Sequence, residues 1–146
     1  NSKSGLRTRS NSLLNASVAC KSSLAGTYTT STSGQSTDSG PAPEENPISN
    51  YPYEVTLTAT SVNGVYTISD FSGGLYELWY DIYGISADTP GTIQDVCNDI
   101  TFTNTNEPFG TAVTGSGSVD PDTGVITISA KNGYDDTWTM VLTPKP

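Results

Sequence analysis

The chain has 146 residues, enough for one domain with a substantial core, and only 34% of them are hydrophobic. It carries 15 Asp and Glu against six Lys and Arg, a net charge of −9, and no histidine. That acidity repels phosphate backbones and argues against nucleic-acid binding, and the missing imidazole removes Ser-His and Cys-His nucleophile pairs together with the commonest metal ligand.

Residues 1–22 are rich in Ser and Asn and lack periodicity, and they read as a leader ahead of a single β domain over 23–146. Lys3, Arg7, Arg9 and Lys21 are four of the six basic residues, whereas from residue 22 onward two lysines face all 15 carboxylates. The leader reads as a solvated tail in which Lys3, Arg7 and Arg9 are candidate contacts to an acidic partner surface or lipid headgroups. Asn15-Ala-Ser17 matches a glycosylation sequon. Cys20 and Cys97 are the two cysteines; an even, minimal count fits one disulfide in an oxidising compartment, with two buried thiols as the alternative.

Leu24–Ser33 is predicted as the first strand. Residues 34–52 form a long polar loop that includes Pro41, Pro43, Pro47 and Pro52. Tyr53–Val62 alternates strictly, with Tyr53, Val55, Leu57 and Ala59 on one face and Glu54, Thr56, Thr58 and Thr60 on the other, the mark of a half-buried antiparallel strand. Asn63-Gly64 favours a type I′ turn into Val65–Asp70. Ser72-Gly73-Gly74 then breaks the chain before Leu75–Ile82, predicted as a strand. Its inward face is Tyr76, Leu78, Tyr80 and Ile82, and Trp79 faces outward between Glu77 and Asp81. Further strands are predicted at Thr92–Val96, Ile100–Thr103, Thr111–Val119, Val125–Ala130 and Asp136–Thr143, separated by Asp, Asn, Gly and Pro turns. In the last, Trp138, Met140 and Leu142 share one face; in the one before it, Ile126 and Ile128 point inward. No segment shows a convincing helical period, and no apolar window approaches the roughly 20 residues of a membrane-crossing helix. The expected fold is all-β, an antiparallel meander of about eight strands in a barrel or a sandwich.

Three constellations bear on function. Trp79 with Glu77, Asp81 and Tyr83 would offer a sugar an aromatic face and carboxylate acceptors; packing of Trp79 beneath the long loop is the plainer reading. Asp120-Pro-Asp122-Thr-Gly124 spaces carboxylates as some calcium loops do, but Asp and Gly also suit a hairpin turn on their own account. Calcium at Asp120 and Asp122 is the one cofactor considered, with Asp135-Asp136 as extra ligands if the two turns meet. No spacing singles out a carboxylate pair for glycoside hydrolysis, and no catalytic residue is expected.

Leu24-Ala-Gly-Thr-Tyr28, the run Tyr66–Tyr76, and Gly115–Ile126 together resemble small all-β domains of Bacteroidota surface lipoproteins and secreted proteins. The first segment is also similar to the Gly-x-Trp opening of lipocalin-like barrels, with Tyr28 in the tryptophan's place. The resemblance implies a non-catalytic domain at the cell surface or outside the cell. The expected role is a structural or accessory domain that binds another protein in an envelope assembly. A carbohydrate-binding module and a lipocalin-like small-ligand binder are the alternatives.

Overall fold

The computed structural model describes residues 20–146. Lys3, Arg7, Arg9 and the sequon at Asn15 lie outside the described residues. Eight strands follow one another in chain order: β1 (Gly26–Gln35), β2 (Ile48–Ala59), β3 (Val65–Ile68), β4 (Gly91–Val96), β5 (Asp99–Thr103), β6 (Thr114–Val119), β7 (Ile126–Lys131) and β8 (Thr137–Pro144). Each pairs antiparallel with the next, and β1 closes on β8 with Tyr28 opposite Pro144 and Gln35 opposite Thr137. The fold is therefore a closed up-and-down barrel, which leaves no sheet edge unpaired.

The interior follows the alternation read from the sequence. Trp138, Met140 and Leu142 of β8, Ile126 and Ile128 of β7, and Val55 and Leu57 of β2 are all buried, while the threonines between them face water. The barrel is filled rather than hollow. Between β3 and β4 the chain folds back into one mouth, where Phe71 and Tyr76 pack on Trp138 with ring centroids 6.0 and 6.1 Å away. The indole Nε1 of Trp138 donates to the carbonyl of Phe71 at 2.9 Å.

That inserted segment corrects the expected strand at Leu75–Ile82. Leu75–Tyr80 is an α-helix, α1, followed by a 3-10 turn at Asp81–Tyr83. Its buried residues are Leu75, Tyr76, Trp79 and Tyr80, a helical stripe, so Trp79 lies in the core. Ile82, expected inside, is 55% exposed. The segment is apolar at almost every position, and such a short run satisfies both periods. The local chemistry decides: the Asp70 carboxylate accepts from the backbone N–H and hydroxyl of Ser72, and Ser72 Oγ accepts the N–H of Tyr76. Gly73 and Gly74 then adopt positive φ, turning the chain into the helix. The same Ser-Gly-Gly that reads as a strand break is a helix start.

The strands also shorten the polar loop. β1 runs to Gln35 and β2 begins at Ile48, leaving residues 36–47 as the connection. Successive antiparallel strands put alternate connections at opposite ends. One end carries the tight turns after β2, β4 and β6; the other carries segments 36–47, 69–90, 104–113 and 132–136. The Cys20–Cys97 disulfide closes the tight-turn end, with the Cα atoms 5.2 Å apart. No described helix is long and apolar enough to cross a membrane.

Candidate functional site

The segments gathered at the long-loop mouth form a cleft of about 390 Å³ lined by Thr37, Asp38, Tyr80, Tyr83, Phe109 and Tyr134. They come from four connections on the same rim: Thr37 and Asp38 from 36–47, Tyr80 and Tyr83 from 69–90, Phe109 from 104–113, and Tyr134 from 132–136. Tyr80 ends α1 and is buried as the floor; Tyr83, Phe109 and Tyr134 are 54%, 42% and 50% exposed, aromatic faces left to solvent. The Tyr83 ring lies roughly parallel to that of Tyr80 at 6.0 Å, and the Phe109 ring stands at 89° to both. Such a corner offers both flat and edge-on contacts.

A buried polar network holds this corner in place. Tyr80 donates to the Asp136 carboxylate and exchanges a hydrogen bond of 2.7 Å with the Ser36 hydroxyl. Asp136 is fully buried and also accepts from the Thr37 N–H at 2.8 Å and from Asn132 Nδ2 at 2.9 Å. Asn132 Nδ2 donates to the Tyr76 hydroxyl at 2.6 Å, and that hydroxyl donates to Glu107 at 3.1 Å. Glu107 in turn accepts the N–H groups of Phe109 and Thr111. Both carboxylates have their acceptor oxygens satisfied, the condition under which a buried polar group stabilises rather than costs. The chain Ser36–Asp136–Asn132–Tyr76–Glu107 therefore clamps the segments 36–47, 104–113 and 132–136 to α1 and fixes Thr37, Tyr134 and Phe109 around Tyr80.

Burial pushes the Tyr76 and Tyr80 hydroxyls far above the ordinary tyrosine range, and in Tyr80 the hydrogen bond to Asp136 adds to it. Tyr83 is raised by its hydrogen bond to Asp38, whose Oδ2 lies 2.9 Å away. All three phenols are neutral donors near neutral pH. The rim of the cleft thus presents a carboxylate, a threonine hydroxyl and phenol groups beside apolar ring faces.

The residues expected at a ligand site are dispersed. Trp79 is fully buried and its Nε1 donates to the carbonyl of Glu45 at 2.8 Å, so the 36–47 loop covers it and it presents no face to a ligand. Glu77 turns toward β2, where it accepts from the Tyr53 hydroxyl at 2.5 Å. Asp81 is exposed and does not line the cleft. Tyr83 alone of the four belongs to it. Asp120 and Asp122 occupy the turn between β6 and β7, where the Asp120 carboxylate accepts the Asp122 N–H at 2.8 Å. Asp135-Asp136 lies beyond the far end of β7, so the two turns do not meet. Phe109 and Tyr134 escaped the sequence reading because they sit outside the alternating strands. Their signal was an aromatic residue set among turn formers, in Pro108-Phe109-Gly110 and Gly133-Tyr134-Asp135.

A family model for a C-terminal domain matches residues 18–144, and the chain belongs to that family. No curated protein matches the sequence. Among solved structures, a lipoprotein from Bacteroides thetaiotaomicron has the same fold, with a TM-score of 0.60 at 19% sequence identity. The match covers 97% of this chain and 65% of the other, so the chain spans about two thirds of that lipoprotein. The resemblance to small all-β domains of Bacteroidota lipoproteins thus holds for the fold, and of barrel and sandwich the barrel is the one formed.

Proposed function

We propose, from membership of this C-terminal-domain family and from the aromatic cleft, that the domain is a non-catalytic binding module of the cell envelope whose cleft holds a glycan. The observation that carries the reading is the set of exposed Tyr83, Phe109 and Tyr134 rings around Tyr80, with Asp38 and Thr37 at the rim. A pyranose has an apolar C–H face that stacks on such rings and hydroxyls that need acceptors at the edge. The clamp beneath supports the same reading, since a site set in advance loses less entropy on binding. The lipoprotein nature of the structural neighbour supports a place at the envelope surface.

A protein partner in an envelope assembly is the competing reading, for which the basic leader with Lys3, Arg7 and Arg9, the long Pro-rich loop and the lack of reactive chemistry speak. The described residues favour the glycan, because the cleft combines small size, flat rings and a polar rim. Screening the domain on an array of chemically diverse oligosaccharides, then titrating the best binder by calorimetry, separates the two. Binding should fall at least tenfold in Tyr83→Ala and in Phe109→Ala, both surface changes that spare the fold. An array without binders, together with a protein captured equally by wild type and Tyr83→Ala, would replace the glycan with a protein partner.

A further inference from the structure

Beside α1 three carboxylates converge, and among the described residues no ion pair reaches them. Asp70, Glu77 and Asp88 each place a carboxylate oxygen within 4.8 Å of the others. Among the described residues the ion pair formed is Lys145 with Glu54, well away on β2 and the C-terminus. Asp70 is fully buried; its Oδ1 accepts from the Ser72 N–H, the Ser72 hydroxyl and the Thr89 hydroxyl, and its Oδ2 has no partner. An unpartnered buried carboxylate oxygen is costly to leave so. Oδ2 is also the only oxygen of Asp70 free to meet another group.

Tyr53 completes the picture. Its hydroxyl lies against both Glu77 and Asp88, at 2.5 Å from the former. One phenol carries one proton and can donate to only one of the two carboxylates at a time. The Glu77 and Asp88 carboxylates thus share a single donor, and Asp70 Oδ2, unlike Asp70 Oδ1, has none.

We propose that Asp70, Glu77 and Asp88 form a site for a hard divalent cation, calcium by preference, with Asp70 Oδ2 as its innermost ligand. Calcium takes six to eight oxygen ligands and tolerates irregular geometry, so three carboxylates leave room for water on the open side, where Asp88 is exposed. Magnesium demands a stricter octahedron and gives up water reluctantly. The cation would tie the start of α1, its middle and the loop before β4 into one unit. It is distinct from the pair Asp120 and Asp122, which lies at the opposite end of the barrel.

Calorimetric titration of chelator-stripped protein with calcium chloride, paired with thermal unfolding, tests it. One site per chain should bind calcium with a dissociation constant in the range of about 0.1–1 mM, as extracellular modules do. The melting temperature should rise with calcium until the site saturates. Asp88→Asn, at an exposed position, should weaken calcium binding at least tenfold. In chelator it should melt no lower than wild type, because it removes a repelling charge. Asp120→Asn should change neither binding nor melting. Absence of calcium binding at 10 mM (roughly ten times the top of that range), or binding lost in Asp120→Asn but intact in Asp88→Asn, would overturn the site. Neither readout uses a glycan, so failure here leaves the cleft untouched, and failure of the cleft leaves the cation site standing.

Discussion

Trp79 shows how a single residue's role turns on its surroundings. Two carboxylates within two positions made it look like a sugar platform, yet the helix rotates it inward and the 36–47 loop closes over it. Its truncation is predicted to act on stability: Trp79→Ala should cost about 3–5 kcal/mol in chemical denaturation, the range for a large buried aromatic. Tyr83, four residues on, is the reverse case: it is 54% exposed and lines the cleft. Tyr76 and Tyr80 lend themselves to a second measurement. Their pKa values are raised on folding, so the folded state favours the neutral phenol. The stability they contribute is complete below the ordinary tyrosine value of about 10 and is lost as pH climbs above it, because the unfolded chain then gains by ionising. Alkaline titration should show these two phenols ionising only as the barrel unfolds; ionisation with native circular dichroism retained would contradict their burial.

Among the elements, strands were readable and the helix was not. β7, β8 and the Tyr53–Leu57 part of β2 alternate so strictly that the faces follow from parity, although Ala59, expected inward, is exposed, and a slip by one residue would turn the core outward. α1 has six residues, too few for a helical period to emerge from a run apolar nearly throughout. What specifies it is the Asp70–Ser72 hydrogen bonding and the two glycines, features that read equally well as a loop. Gly74 has φ of 88°, and a Cβ there would meet the Tyr53 ring at 2.6 Å. Gly74→Ala should therefore destabilise by more than the roughly 1–2 kcal/mol of left-handed strain alone, read from the urea midpoint. The cleft was hidden for a related reason. It is assembled from turn residues on four connections, and only the closure of the barrel brings Thr37, Tyr83, Phe109 and Tyr134 to one mouth.

The whole molecule divides its work between its two ends. The tight-turn end is bound by the disulfide, by the Leu24 N–H donating to the Tyr66 hydroxyl, and by the Tyr28 hydroxyl donating to the Leu24 carbonyl. The long-loop end carries the cleft. Cys20, the first described residue, therefore lies at the end opposite the cleft. Cys20 and Cys97 are 77 positions apart, and closing a loop of that length restricts the unfolded chain by about 4 kcal/mol in the chain-entropy treatment. Reduction should lower the unfolding free energy by up to that amount while leaving the cleft able to bind, measured by denaturation with and without reductant.

The most direct measurement is amide chemical-shift mapping of the isotope-labelled domain as the best array oligosaccharide is added. Shifts are predicted at Thr37, Asp38, Tyr83, Phe109 and Tyr134, with Cys97, Asp120 and Asp122 at the other end unmoved. Shifts confined to the tight-turn end, or spread evenly over the barrel wall, would contradict a glycan site in the aromatic cleft.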